Sequence, residues 1–261
     1  RSLNQAVSAI DTTGQTADSV IFTDMLHGQF ELAPLVAVCP SQLDRFLAIT
    51  NQLRISLKAC SRNWDFQNPG VRRLMYRILY GSRLAVEEVL LQTQEGAVDP
   101  LQLLMDEPSS TPSAEMMGVT VHSGDILVSR GGAPTSALIA RGNDFPGNFS
   151  HIALVHVDST TGKISIIESH IEIGVAVATP EEYFADKKLR VMVLRLRHDL
   201  PQLADDPMLP HHAATAALNR AHSEHIAYDF EMDYHDGNKL FCSEVASHPY
   251  HQVGIDLWTG V

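Results

Sequence analysis

Basic residues are scarce in this chain: 19 Lys and Arg stand against 31 Asp and Glu, a net charge of -12. A nucleic-acid groove needs a basic face, so nucleic acid is not expected as a partner. Electrostatic adhesion to anionic lipid is disfavoured for the same reason. Long apolar runs are missing as well. Leu35-Val36-Ala37-Val38-Cys39 is ended by Pro40, far short of the roughly 20 residues that span a bilayer, so no integral membrane segment is expected. No Gly-x-Ser-x-Gly elbow and no phosphate-binding glycine loop is present. Cysteine is sparse too. Cys39 and Cys60 lie in the N-terminal third and Cys242 stands alone near the far end. If the first two pair, the compartment is oxidising and Cys242 is the leftover thiol. If they do not, they are small buried hydrophobes.

What remains is an ordinary globular composition, 44% hydrophobic and 19% charged, too apolar for a disordered chain. The chain starts at Arg1 and not at Met, which suggests processing and a periplasmic or secreted protein, with the cytoplasm still open. The first hundred residues read as helical. Pro40-Ser41 predicts a helix start with Ser41 as N-cap, and Leu43, Phe46, Leu47, Leu53 and Leu57 form one apolar stripe marred only by Thr50. Asn68-Pro69 predicts a second start, followed by Leu74, Ile78, Ala85, Val86, Val89 and Leu90 on one face. Nothing in this region signals chemistry.

The turn-rich stretch Asp106-Glu107-Pro108-Ser109-Ser110-Thr111-Pro112-Ser113 predicts a boundary between a helical region, 1–112, and a second domain, 113–261. Strands are predicted over 124–129, 150–157, 164–171 and 189–196, with Asp158 to Lys163 as a hairpin connector. Helices follow over 213–227 and from Cys242 onward. The class is α+β.

Three residues in this second half carry chemistry when taken together. Cys242 follows the Asp236-Gly237-Asn238 turn and a buried-looking Leu240-Phe241, and it precedes a helix. A helix N-terminus lowers a thiol pKa and favours the nucleophilic thiolate. His151 opens an apolar strand, where its ring can be held at the sheet's end and take the thiol proton. Glu168 ends Ile164-Ser165-Ile166-Ile167 and needs a partner if buried; a His ring N–H is such a partner. Singly, each has a plain structural reading: a buried cysteine, a strand-end histidine, a glutamate facing water.

The chain resembles the permuted papain-like enzymes of the NlpC superfamily, of the YiiX/YebB type, and more distantly the lecithin:retinol acyltransferase group. Papain-like thiol enzymes run Cys, His, then an orienting polar residue, and His151, Glu168, Cys242 is a cyclic rotation of that order. The matching pieces are Gly124-Asp125-Ile126-Leu127, Ser150-His151-Ile152-Ala153-Leu154-Val155, Ile167-Glu168, Ala227-Tyr228-Asp229-Phe230 and Phe241-Cys242-Ser243-Glu244-Val245. They span just under half the chain and leave the N-terminal helical region outside. The resemblance implies an antiparallel sheet packed on helices and a bacterial cysteine hydrolase without a cofactor. It implies Cys242 as nucleophile, His151 as base and Glu168 as orienter. Tyr228 would contribute to oxyanion binding or substrate placement, and Asp125 would hold a turn. Its substrates would be peptide or amide bonds, with acyl lipids as the alternative, and an inactive binding module is the non-enzymatic reading. Two features depart from it: Pro249 is expected to interrupt the helix after Cys242, and the chain stops soon afterwards at Trp258-Thr259-Gly260-Val261, as if trimmed.

The residues also offer one candidate metal face. His222, His225 and Asp229, at i, i+3 and i+7, would share one helix face. Their spacing is not that of a His-Glu-x-x-His peptidase, and a solvated face is the expected meaning. The acidic run Asp229, Glu231, Asp233, Asp236 lacks the glycine of a calcium loop and reads as solvated. No metal is expected.

Overall fold

The computed structural model describes residues 15–94, 106–142 and 148–257, so Trp258 to Val261 lie outside it. The chain divides into two compact units, one of residues 1–106 with 260–261 and one of residues 107–259. The division falls inside the turn-rich stretch.

In the first unit the described helices are α1 (Val20–Ala37), α2 (Leu43–Cys60) and α3 (Pro69–Gln92). Asn68 caps α3 by accepting a hydrogen bond from the Gly70 N–H at 2.8 Å, with Pro69 in the first turn. Ser41 does not cap α2. Pro40 to Gln42 instead forms one 3-10 turn, and α2 begins after it without a side-chain cap. The apolar stripe of α2 is buried against Phe22 and Met25 of α1 and Ile78, Val86 and Val89 of α3. Thr50 is buried within that stripe but satisfied: Gln29 Nε2 donates to its hydroxyl at 3.0 Å, and the Ser82 hydroxyl donates to Gln29 Oε1 at 2.5 Å. Cys39 and Cys60 are both free. They flank α2, whose 18 residues extend roughly 27 Å, well beyond disulfide reach.

The second unit is a mixed α and β structure built on antiparallel sheets. Its elements are β1 (Ser113–Met116), β2 (Val119–His122), β3 (Ile126–Gly131), α4 (Pro134–Gly142), β4 (His151–Val157), β5 (Ile164–His170), β6 (Gly174–Ala178), α5 (Pro180–Ala185), β7 (Lys188–Leu194), α6 (Pro201–Asp205), α7 (Leu209–Ser223) and α8 (Glu244–Gln252). The main sheet has the order β6-β5-β4-β3-β7, with every neighbouring pair antiparallel. β1 and β2 form a separate hairpin turning through Met117 and Gly118, both at positive φ.

The strands read as apolar runs because both faces of the sheet are covered. On one face Ala153, Val155, Val157, Ile164 and Ile166 pack with Leu127, Val121 and Tyr183. On the other, Leu154 and Ile167 pack with Ala213 and Ala214 of α7 and Val245 and Tyr250 of α8. The predicted helix over 213–227 is shifted: α7 starts at Leu209, with Pro210 in its first turn, and stops at Ser223. Pro249 does not end α8, which runs on to Gln252 with the proline buried inside it. Proline there removes one backbone donor, and burial of its ring on the core offsets that loss.

Two close approaches bring the far end of the chain to the sheet. Gly174, at φ +73°, leaves no room for a Cβ, which would lie 2.1 Å from the Ile226 carbonyl oxygen. Its absence lets the Val175 N–H donate to that oxygen at 2.9 Å. The Ser169 hydroxyl of β5 donates to the Leu240 carbonyl at 2.7 Å, in a buried bond. The segment leading to Cys242 is thereby fastened to the strand that carries Glu168.

Candidate active site

His151 is the first residue of β4, and Glu168 lies on β5 opposite Ala153. That register continues to place His151 opposite His170, so His151, Glu168 and His170 share one face of the hairpin. His151 Nε2 lies 2.8 Å from Glu168 Oε2, and His170 Nε2 lies 3.2 Å from Glu168 Oε1. Glu168 is only 3% exposed, and small residues oppose it on both sides, Ala153 on β4 and Ala176 on β6. A carboxylate so deep needs both of its oxygens satisfied, and two imidazoles do this.

Cys242, half-buried, sits just before the Ser243 N-cap of α8. Three bonds set its backbone: Leu240 N–H to the Ala227 carbonyl at 3.1 Å, Ser169 to the Leu240 carbonyl, and Phe241 N–H to Glu244 Oε2 at 3.0 Å. Among the described residues the Cys242 N–H has no acceptor. The thiol lies beside the His151 ring. Because Nε2 faces Glu168, Nδ1 is left for the sulfur.

The ring of His151 responds to both partners. Burial alone would push its pKa down. Cys242 and Glu168 beside the ring, the latter through its hydrogen bond and charge, overcome burial and raise it to about 9. Burial pushes Glu168 up, and the hydrogen bonds and charges of His151 and His170 lower it to about 2. At neutral pH the pair is therefore an imidazolium and a carboxylate.

Two tyrosines flank the thiol. Burial, then the charges of Cys242 and Asp229, push the Tyr228 phenol up, so it stays a hydroxyl donor. Tyr234, also pushed up by burial first and then by Glu244 and Cys242, lies 3.1 Å from the Ser243 hydroxyl and edge-on to Phe241 at 5.0 Å. Sequence reasoning missed Tyr234 and His170. The first had no signal. The second had one, since it stands two residues beyond Glu168 on the same strand. Glu244, buried in the first turn of α8, is raised to about 7, by burial and then by Asp229, Asp233 and Asp236 against the opposing Phe241 N–H.

Asp125 lies outside this group. It is 1% exposed, pairs with Arg195 at 2.8 Å through both oxygens and accepts the His122 N–H at 2.8 Å. The His222, His225, Asp229 face does not form. α7 stops at Ser223, before His225, and the Asp229 carboxylate is buried accepting the Glu231 and Asp233 N–H groups at 2.9 and 2.7 Å. Among the described residues no three His, Cys, Asp or Glu side chains are grouped to hold a metal, and no helix is long and apolar enough to cross a membrane.

A second histidine pair lies apart from the thiol. His156 of β4 stacks on His211 of α7 at 5.3 Å, and its buried Nδ1 has no hydrogen-bond partner among the described residues. Burial and then the charge of His211 lower the His156 ring from 6.5, and burial and then the charge of His212 lower His211. Such groups stabilise the fold when neutral, above about pH 6.5, and that contribution is lost as pH falls below it. His151 has the opposite sign: its contribution is complete below 6.5 and is lost as pH rises through about 9. Glu168 adds stability above 4.5 that is lost only as pH falls through about 2. The second unit is accordingly expected to be most stable near pH 6.5, losing the His151 contribution between there and about 9. Urea denaturation across pH, followed by hydrogen exchange in β3 to β5, should show both limbs, the alkaline one on the order of 3 kcal/mol. His156→Phe should flatten the acid limb alone.

No protein-family model matches the chain, and no curated protein sequence matches it either.

Proposed function

We propose that the second unit is a cysteine hydrolase of the permuted papain-like type, acting through Cys242, His151 and Glu168. The observation that carries this reading is one imidazole set beside a thiol and hydrogen-bonded to a buried carboxylate. The Cys242 sulfur attacks the carbonyl carbon of an amide or ester, and His151 delivers its proton to the departing nitrogen or oxygen. The resulting thioester is opened by water, which gives a proton back to the ring. The Cys242 N–H, without an internal acceptor, and the Tyr228 hydroxyl are suited to receive the oxyanion. Glu168 keeps the ring's Nε2 proton in place and its charge balanced. Peptide or other amide bonds, including those of cell-wall peptides, are the leading substrate class, and no cofactor enters the chemistry.

One observation favours an acyl-lipid substrate as second reading. Phe230 and Met232 are 70% and 61% exposed, and Phe230 packs edge-on to Tyr228 at 5.0 Å. An apolar lip beside the nucleophile suits an acyl chain.

The reading is tested by exposing the full chain to an activated ester and mapping the adduct by mass spectrometry. An acyl group on Cys242, absent from Cys242→Ala and slow to form in His151→Ala, supports it. Acylation confined to Cys39, or none, overturns it and leaves a papain-like binding module. Cell-wall peptides and a phospholipid panel offered to wild type and Cys242→Ala then separate the two substrate classes.

A further inference from the structure

Glu168 has two imidazole neighbours, and only one of them touches the thiol. His151 holds Oε2; His170 holds Oε1. Both bonds come from one hairpin, whose register sets the two rings 6.0 Å apart on the same face. Tyr183 of α5, which is fully buried, also senses Glu168 from a neighbouring element. Without His170, Oε1 would be 3% exposed carboxylate with one donor fewer. The carboxylate could then turn about its last bond, and its charge would be poorly matched where it lies. The orientation of His151 depends on that carboxylate plane, because Nε2–H must point to Oε2 for Nδ1 to reach sulfur.

Building on the triad reading, we propose that His170 is a positioning residue of this site: it donates Nε2–H to Glu168 Oε1 and so locks the carboxylate that orients His151. Its ring does not reach the reacting atoms through any bond of its own. Its role is that of the outer partners which fix a histidine's tautomer and direction.

The test uses the full chain with Cys39→Ser, which removes the exposed thiol and leaves Cys242 as the accessible one. Second-order alkylation of Cys242 by iodoacetamide is followed by mass spectrometry across pH. His170→Leu is expected to slow alkylation at neutral pH by about tenfold, as loss of an outer partner does. It should also displace the alkaline limb that His151 sets. His170→Gln, whose amide keeps a donor at similar reach, should restore the rate to within about threefold. His170→Asn, polar but too short, should behave like leucine, which separates reach from polarity even where leucine disturbs folding. A wild-type rate and pH profile in His170→Leu, or glutamine as slow as asparagine, overturns the proposal. His151→Ala distinguishes the two levels. If it leaves alkylation unchanged, the triad itself falls; if it slows alkylation while the His170 variants do not, only the role of His170 falls.

Discussion

His151→Ala is expected to slow alkylation of Cys242 at neutral pH by about a hundredfold and acyl turnover by about a thousandfold or more. In the proposed chemistry the ring carries two functions that separate experimentally. As an imidazolium beside the sulfur it favours the thiolate, and alkylation reports this alone. As the acid that protonates the leaving group it acts only in turnover, so turnover loses more. Glu168→Gln preserves an acceptor for Nε2–H but removes the charge. The alkaline limb of the alkylation profile, set by His151 at about 9, should then move down by about one pH unit, the equivalent of roughly 1.4 kcal/mol. The combined His151→Ala, Glu168→Gln protein should be hardly slower than His151→Ala, because the carboxylate acts through the ring. A Cys242 that alkylates equally fast in all three proteins would rule the triad out.

Arg195→Met is expected to produce the largest loss of stability, about 3–5 kcal/mol, since it leaves a buried carboxylate without its counter-charge. Asp125 is 1% exposed, and Arg195 meets both of its oxygens while donating also to the carbonyls of Glu107 and Thr120. One guanidinium thus ties the start of the second unit, the β2–β3 turn and the end of β7 together. Asp125→Asn should cost less, since the amide oxygen still accepts while the amide nitrogen faces a cation. The double variant should fall short of the summed losses by about 2 kcal/mol or more, which marks a coupled pair. Hydrogen exchange over Ile126–Gly131 and His151–Val157 reads this unit by itself. Alkylation of Cys242 in the folded fraction should remain near the wild-type rate, because Asp125 lies outside the group around the thiol.

Much of the site's hairpin is legible in the sequence. The β-rich runs on either side of Asp158 to Lys163 predict antiparallel pairing, and the closed connector, with Asp158 N–H to the Lys163 carbonyl at 2.9 Å, sets the register. Once it is set, His151 faces the row that contains Glu168 and His170, so His170 was within reach of the same reasoning. The state of Cys39 and Cys60 was left open by their number and spacing, and the structure decides it, with both free and α2 running up to Cys60. Helix ends were harder. Ser41 had the right chemistry for a cap, yet the 3-10 turn placed it one step too early. The stretch after Ser223 looked helical by composition but is drawn out to meet the edge of β6.

Local pattern by itself determined the class of the protein: helices first, then strands followed by helices, with a cysteine ahead of a helix and a histidine at a strand start. These follow from periodicity and from turn and cap chemistry, which act over a few residues. Only the tertiary structure decided which groups meet. The Ser169–Leu240 bond joins residues 71 apart, and the Asp125–Arg195 pair joins residues 70 apart. No local propensity encodes such contacts; they arise because buried polar groups must find partners once the sheet is covered on both faces. The same requirement gave Glu168 its two imidazoles and left Cys242 beside one of them.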